Sequence, residues 1–170
     1  MADPQLHTGD KAEAVDKIAA GAEAAPPSPS PSPSKRTSHK ANCHCGAVRY
    51  TVTLDRPFPE YKINRCSCSI CTKNGYLLVY PKRSDVVWHR GYENLSDYYF
   101  GEKTKAHKFC KTCSSSVLID WRRSELGEKD PEKDVLAVNT RLFADIDFDK
   151  MEFITFDGKN RLYPPYSVED

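Results

Sequence analysis

Seven cysteines lie between Cys43 and Cys113 of a 170-residue chain, in three tight groups. The spacings are C-x-C at Cys43/Cys45, C-x-C-x-x-C at Cys66/Cys68/Cys71 and C-x-x-C at Cys110/Cys113. An odd count would strand one thiol in a disulfide framework, so clustering this close points to metal ligation. Structural zinc is closed by four ligands, usually from two short knuckles that the fold brings together, and Cys43/Cys45 with Cys110/Cys113 make such a pair. Cys66, Cys68 and Cys71 can reach one ion from a single loop and leave its fourth position free, the mark of a catalytic zinc. Seven thus divides as four plus three. The spacing also allows four of the five cysteines in the first two groups to share one ion, and His44 and His107 are candidate substitute ligands.

The elements that must position these thiols read as strands. Val48, Tyr50, Val52 and Leu54 alternate with Arg49, Thr51 and Thr53, giving a half-buried antiparallel strand. Further short strands are expected at 61–65, 76–80, 85–89, 96–100, 106–109, 116–121, 135–139 and 151–156. Glycine, proline or charged turns separate them, and no segment shows a sustained 3.6-residue apolar stripe. The expected class is mainly β, built from small antiparallel sheets. Residues 122–134 are almost wholly polar and read as a long exposed connection.

The chain also divides by composition. All of its 2 Trp, 9 Tyr and 7 Phe lie beyond residue 40, whereas six of the 12 prolines lie before it. That composition predicts a disordered tail over 1–40 and a folded domain over 41–170. Within the tail, 9–25 are rich enough in Ala for a nascent helix, and the Pro-Ser repeat at 26–34 favours extended polyproline II. Lys+Arg (25) and Asp+Glu (24) nearly balance, which argues against a nucleic-acid binder. No apolar run reaches the roughly 18 residues of a membrane span, and no signal-peptide pattern is seen. The expected location is the cytoplasm, with the nucleus left open.

Three segments carry a resemblance: Cys43-His44-Cys45-Gly46-Ala47-Val48-Arg49-Tyr50, Cys66-Ser67-Cys68-Ser69-Ile70-Cys71 and Phe109-Cys110-Lys111-Thr112-Cys113. In order and spacing, from about residue 42 to 156, they resemble the glutathione-dependent formaldehyde-activating enzyme family, also called the centromere protein V family. The resemblance implies a β-tent fold with two zinc ions. It assigns Cys43, Cys45, Cys110 and Cys113 to a structural ion and Cys66, Cys68 and Cys71 to a catalytic one. The implied activity is that of a carbon–sulfur lyase, joining glutathione and formaldehyde into S-hydroxymethylglutathione or handling related thiol adducts. Family members often have Gly just before the first knuckle and just after the last; this chain has Asn42 and Ser114.

A zinc held by three thiolates is a weak Lewis acid towards water but a good host for a fourth, exogenous thiolate. The expected partners are therefore a small thiol such as glutathione and an electrophilic carbon compound. Glutathione brings two carboxylates, for which Lys73, Lys62, Arg65, Lys82 and Arg83 are the nearby cations and the Thr72–Gly75 turn a backbone donor. Tyr76 and Tyr80 are expected to line the pocket or donate a proton, or else to sit in the core. The alternative function is a non-catalytic, zinc-stabilised binding module, and Rab exchange by fold analogy is a third. Oligomeric state is not encoded in any of these patterns. No G-x-S-x-G, P-loop, G-x-G-x-x-G or H-E-x-x-H motif occurs.

Overall fold

Alternation in Arg49–Leu54 buries Tyr50, Val52 and Leu54 and leaves the intervening residues at the surface, as period two requires. In the computed structural model, which describes residues 36–168, this segment is β2 of a three-stranded antiparallel sheet. Its neighbours are β1 (Thr37–Asn42) and β5 (Val86–Arg90), in the order β1-β2-β5. The second sheet has seven strands: β3 (Ile63–Cys66), β4 (Leu78–Val79), β6 (Leu95–Tyr98), β7 (Ala106–Cys110), β8 (Ser116–Asp120), β9 (Leu136–Asn139) and β10 (Phe153–Phe156). They run in the order β10-β3-β4-β9-β8-β7-β6. Every pair is antiparallel except β10 on β3, which is parallel.

The mainly β class expected from sequence is therefore what the structure shows, and the expected strands recur with ends displaced by one or two residues. Strand β1 is the exception. It begins at Thr37, inside the stretch that composition assigns to the tail, and pairs in register with β2, Thr37 facing Leu54 and Asn42 facing Arg49. Its sequence, TSHKAN, has no apolar alternation to announce a strand. Backbone pairing supplies the order, together with His39, which is buried and stacked 5.3 Å from Phe143 with 5.0 Å to Phe58. The nascent helix and the polyproline segment expected within 1–35 lie outside the described residues.

Strands β8 and β9 are buried along nearly their whole length, so they read as continuous rather than alternating apolar runs. One face, through Leu118 and Val138, packs with Tyr50 and Val52 of the first sheet and with Val48 just before β2. The opposite face, through Ile119 and Ala137, packs with Leu78 and Tyr76 against Cys71. Cys71 belongs to a short helix, α1 (Ser69–Asn74), which therefore sits on the outer face of the large sheet. It ends where Gly75 adopts the left-handed conformation (φ 61°), with the Gly75 N–H donating back to the helix. A single further turn, α2 (Gly158–Arg161), follows β10. No helix among the described residues is long and apolar enough to cross a membrane.

The polar connection expected over 122–134 is largely exposed, but its end is anchored. Arg83 bridges Asp120, at 2.6 and 2.9 Å, and Asp134, at 2.8 and 3.2 Å. A guanidinium held between two carboxylates of which Asp120 is almost fully buried is a structural clamp.

Candidate metal centres

Cys43 and Cys45 lie in the loop joining β1 to β2, while Cys110 ends β7 and Cys113 lies in the loop joining β7 to β8. The fold brings these two hairpin loops, one from each sheet, together. The four sulfurs all lie within 4.8 Å of one another, with Cys43–Cys45 at 3.6 Å and Cys45–Cys110 at 3.9 Å. Sulfurs about 2.3 Å from a tetrahedral zinc stand about 3.8 Å apart, so the donor set fits that ion. Neutral donors point at the sulfurs: the Val48 N–H at Cys43 (3.2 Å), the Asn94 amide at Cys110 (3.3 Å), and the Ser115 hydroxyl, 3.2 Å from Cys113. Such donors stabilise thiolate, and the Ser115 hydroxyl is the main reason the Cys113 thiol falls to about 5. The His44 N–H donates to Ser115 Oγ at 3.1 Å, tying the first knuckle to the last.

The knuckle turns resolve the two departures from the family pattern. Positive φ falls on Gly46 (72°) and on Ser114 (60°), not on Asn42, whose side chain instead donates to the Cys43 carbonyl at 2.9 Å. Ser114 thus holds a left-handed conformation without glycine's freedom.

Cys66 ends β3, Cys68 precedes the first turn of α1 and Cys71 sits within it, so a strand end and one helical turn place three sulfurs within 4.8 Å. Crowded thiols cannot all ionise without a cation. Cys71 is pushed well above the ordinary thiol range by its contacts with Cys66 and Cys68, while contacts with Cys66 and Cys71 hold Cys68 down at about 2. A divalent ion removes that conflict by accepting all three as thiolates. One side of the cluster is closed by α2: a Cβ built on Gly158 would lie 2.6 Å from Cys66 Sγ and 2.9 Å from Cys68 Cβ. Asp157 fixes that approach by accepting a hydrogen bond from Ser67 Oγ at 3.1 Å, and the Lys159 N–H donates to the same hydroxyl at 3.2 Å.

On another side, Cys66 and Cys71 line a cleft of about 350 Å³ that also takes in Arg65, Arg141, Gly75 and Tyr76. Of the cations expected from sequence, only Arg65 reaches this cleft, its guanidinium resting 4.6 Å from the Phe153 ring centroid. Lys73 lines a second cleft on the far side of α1. Lys62 pairs with Glu152 at 3.2 Å, Lys82 with Glu132, and Arg83 is the clamp described above, so those three serve the fold. Tyr76 is buried and lines both clefts, whereas Tyr80 packs on Trp121 and accepts a hydrogen bond from Asn64.

Neither candidate histidine joins a sulfur cluster. His44 is exposed, and His107 is buried beside the second cleft. Arg141, Gly158, Asn94 and Ser115 carry no sequence signal, since strand pairing and loop packing alone bring them to the sulfurs.

A family model described as "Glutathione-dependent formaldehyde-activating enzyme" matches residues 38–147, which include all seven cysteines. A Halomonas elongata protein named "Putative glutathione-dependent formaldehyde-activating enzyme" is 35% identical over 96 residues, 51% of this chain. The chain spans 59% of that relative's own length. A crystal structure of a Rhodobacter sphaeroides protein is similar with a TM-score of 0.56 and 34% identity, over 69% of this chain and 99% of that one. Gly158 and β10 lie outside the family match.

Proposed function

The chain belongs to the glutathione-dependent formaldehyde-activating enzyme family, and from that premise we propose that it is a zinc-dependent carbon–sulfur lyase that makes or breaks thiol adducts of carbonyl compounds, with glutathione or a close analogue as the thiol. The observation that carries this reading is the placement of Cys66 and Cys71 in the wall of the same cleft as Arg65 and Arg141. A site for an acidic thiol needs sulfur ligation and cationic partners side by side, and these four residues are suited to supply both.

In this proposal Cys43, Cys45, Cys110 and Cys113 hold a structural zinc, and Cys66, Cys68 and Cys71 hold the catalytic one. An ion carried by three thiolates supplies a fourth position at which a substrate thiol is ionised at neutral pH. Arg65 and Arg141 orient the thiol through its carboxylates. Tyr76 stays protonated well above neutrality because burial raises its pKa, so its hydroxyl serves as a hydrogen-bond donor to the carbonyl oxygen and not as a base. Gly158 and the Asp157–Ser67 hydrogen bond keep Cys66 in place without entering the chemistry.

Zinc content and turnover in two variants test the assignment. Cys71→Ser is expected to retain the fold and one zinc while losing adduct turnover. Cys110→Ser is expected to lose cooperative folding, because its ion joins the two sheets. Full turnover by Cys71→Ser on a substrate that the wild type processes would remove the three-cysteine site from the mechanism.

A further inference from the structure

The second cleft has about 400 Å³ of space, slightly more than the arginine-lined one, and its chemistry is different. Helix α1 separates the two: Ile70 and Lys73 face the second cleft, Cys71 and Thr72 face the first, and Tyr76 borders both. The second cleft is lined with rings. Phe100 lies 5.2 Å from His107 and 5.7 Å from Tyr98, with which it is stacked at 20°. His107 is only 4% exposed and presents its ring to the wall of the cleft. Burial drives its pKa down to about 4, so at neutral pH it adds no charge to the cage.

We propose that this cleft holds the organic group of the electrophile, and that the carbonyl compound this chain couples to a thiol carries an aromatic ring. The inference rests on the thiol-adduct reading above. Formaldehyde has two heavy atoms and no apolar surface, so it would leave a ring-lined space of this size unfilled and its rings without a ligand to stack on. A single aryl group matches the flat surfaces of Tyr98, Phe100 and His107, which favour offset or edge-on contact with another ring. Ile70, adjacent to Cys71 in the chain, and Tyr76, shared by both clefts, pack in one apolar cluster with Cys66, Cys68 and Cys71, which links this cleft to the sulfurs. The reaction balances without a redox partner. The thiol sulfur forms a bond to the carbonyl carbon, the π pair of the C=O bond passes to oxygen, and the proton given up by the thiol ends on that oxygen.

Two measurements on the full chain test the proposal. In the first, fluorine NMR follows 4-fluorobenzyl alcohol, which has the ring but no reactive carbonyl. Saturable line broadening is expected, weakened about five- to tenfold in Tyr98→Ala and in Phe100→Ala. Tyr98 is 46% exposed, so its removal leaves the fold intact even where Phe100→Ala does not. In the second, exchange NMR compares glutathione coupling to 4-fluorobenzaldehyde and to formaldehyde, above the uncatalysed rate. The ratio of the two is expected to fall about tenfold in both variants. Absence of saturable binding, equal binding by wild type and variants, or a ratio unmoved by either substitution would overturn the proposal. Ring binding that both variants lose, with neither aldehyde coupled, supports the ring site and overturns the thiol-adduct reading instead.

Discussion

Gly158 stands so close to Cys66 that a methyl group in place of its hydrogen would lie 2.6 Å from the cysteine sulfur, inside any permitted contact. The crowding does not come from one flexible atom, because the Cys68 Cβ and backbone nitrogen follow at 2.9 and 3.1 Å. Glycine is required there by proximity to a sulfur cluster rather than by its own backbone angles.

Gly158→Ala should therefore displace Cys66 and empty the three-cysteine site selectively. The expected result is a fall from two zinc ions per chain to one, with the melting transition largely kept. Elemental analysis beside circular dichroism checks it, and two ions in the variant would show that α2 can retreat without cost.

Chelation should separate the two sites in time. A zinc held by the four cysteines would join both sheets, and structural zinc in small domains is worth on the order of 10–16 kcal/mol, so it should leave only with unfolding. One held by the three cysteines would border an open cleft and should leave first. Loss of one ion at low chelator with an unchanged fold is expected; simultaneous loss of both would contradict the assignment.

Arg65→Ala should raise KM for glutathione by roughly tenfold while changing kcat little, since a carboxylate partner acts on binding in ground and transition states alike. Steady-state kinetics with glutathione as the varied substrate settle the point. A selective fall in kcat would instead place Arg65 at the reacting atoms.

Stability should fall in acid partly through Asp120. Burial raises its pKa, but the hydrogen bonds from Arg83 and the Arg122 N–H, with the positive charges of Arg83 and Lys108, together outweigh that and hold the carboxyl below the ordinary carboxylate range. A depressed folded-state pKa means the stabilisation is complete above the unfolded carboxylate's pKa and disappears as pH drops through the folded value. Asp120→Asn should cost roughly 1–3 kcal/mol at neutral pH and flatten the stability profile below about pH 4. Denaturant melts of both proteins across pH 3–7 provide the comparison, and parallel profiles would show that the clamp contributes no linkage.

Ser114→Gly should raise stability by roughly 0.5–1 kcal/mol, because glycine relieves a left-handed serine while adding some entropy to the unfolded chain. Thermal melting of the zinc-loaded protein measures it, and a lower melting temperature would show that the serine hydroxyl matters more than its backbone.

Cysteine spacing and strand alternation carried most of the architecture into view, because both are local patterns. The three groups at 43–45, 66–71 and 110–113 are visible before any fold is known, and the fold then joins the first to the third. What escaped was long-range. Strand β1 is polar and owes its order to β2 and to His39 between two phenylalanines. Arg83 looks like a surface cation until Asp120 and Asp134 converge on it from 37 and 51 residues away. Arg141 and Gly158 reach the three-cysteine cluster through sheet order, which no spacing rule encodes.

The parallel pairing of β10 with β3 has a bearing on assembly. Cys66, Cys68 and Cys71 are near neighbours in the chain, yet the wall against Cys66 is Gly158, delivered by a strand some ninety residues further on. During synthesis the three thiols emerge early and spend the making of β4 through β9 without that wall, while Cys110 and Cys113 arrive in time to join the first knuckle well before it. Because the most distant pairing forms last, enclosure should run against the order of sequence proximity: the four-cysteine site has all its residues by Cys113, whereas the site whose ligands lie within six residues acquires its full enclosure last.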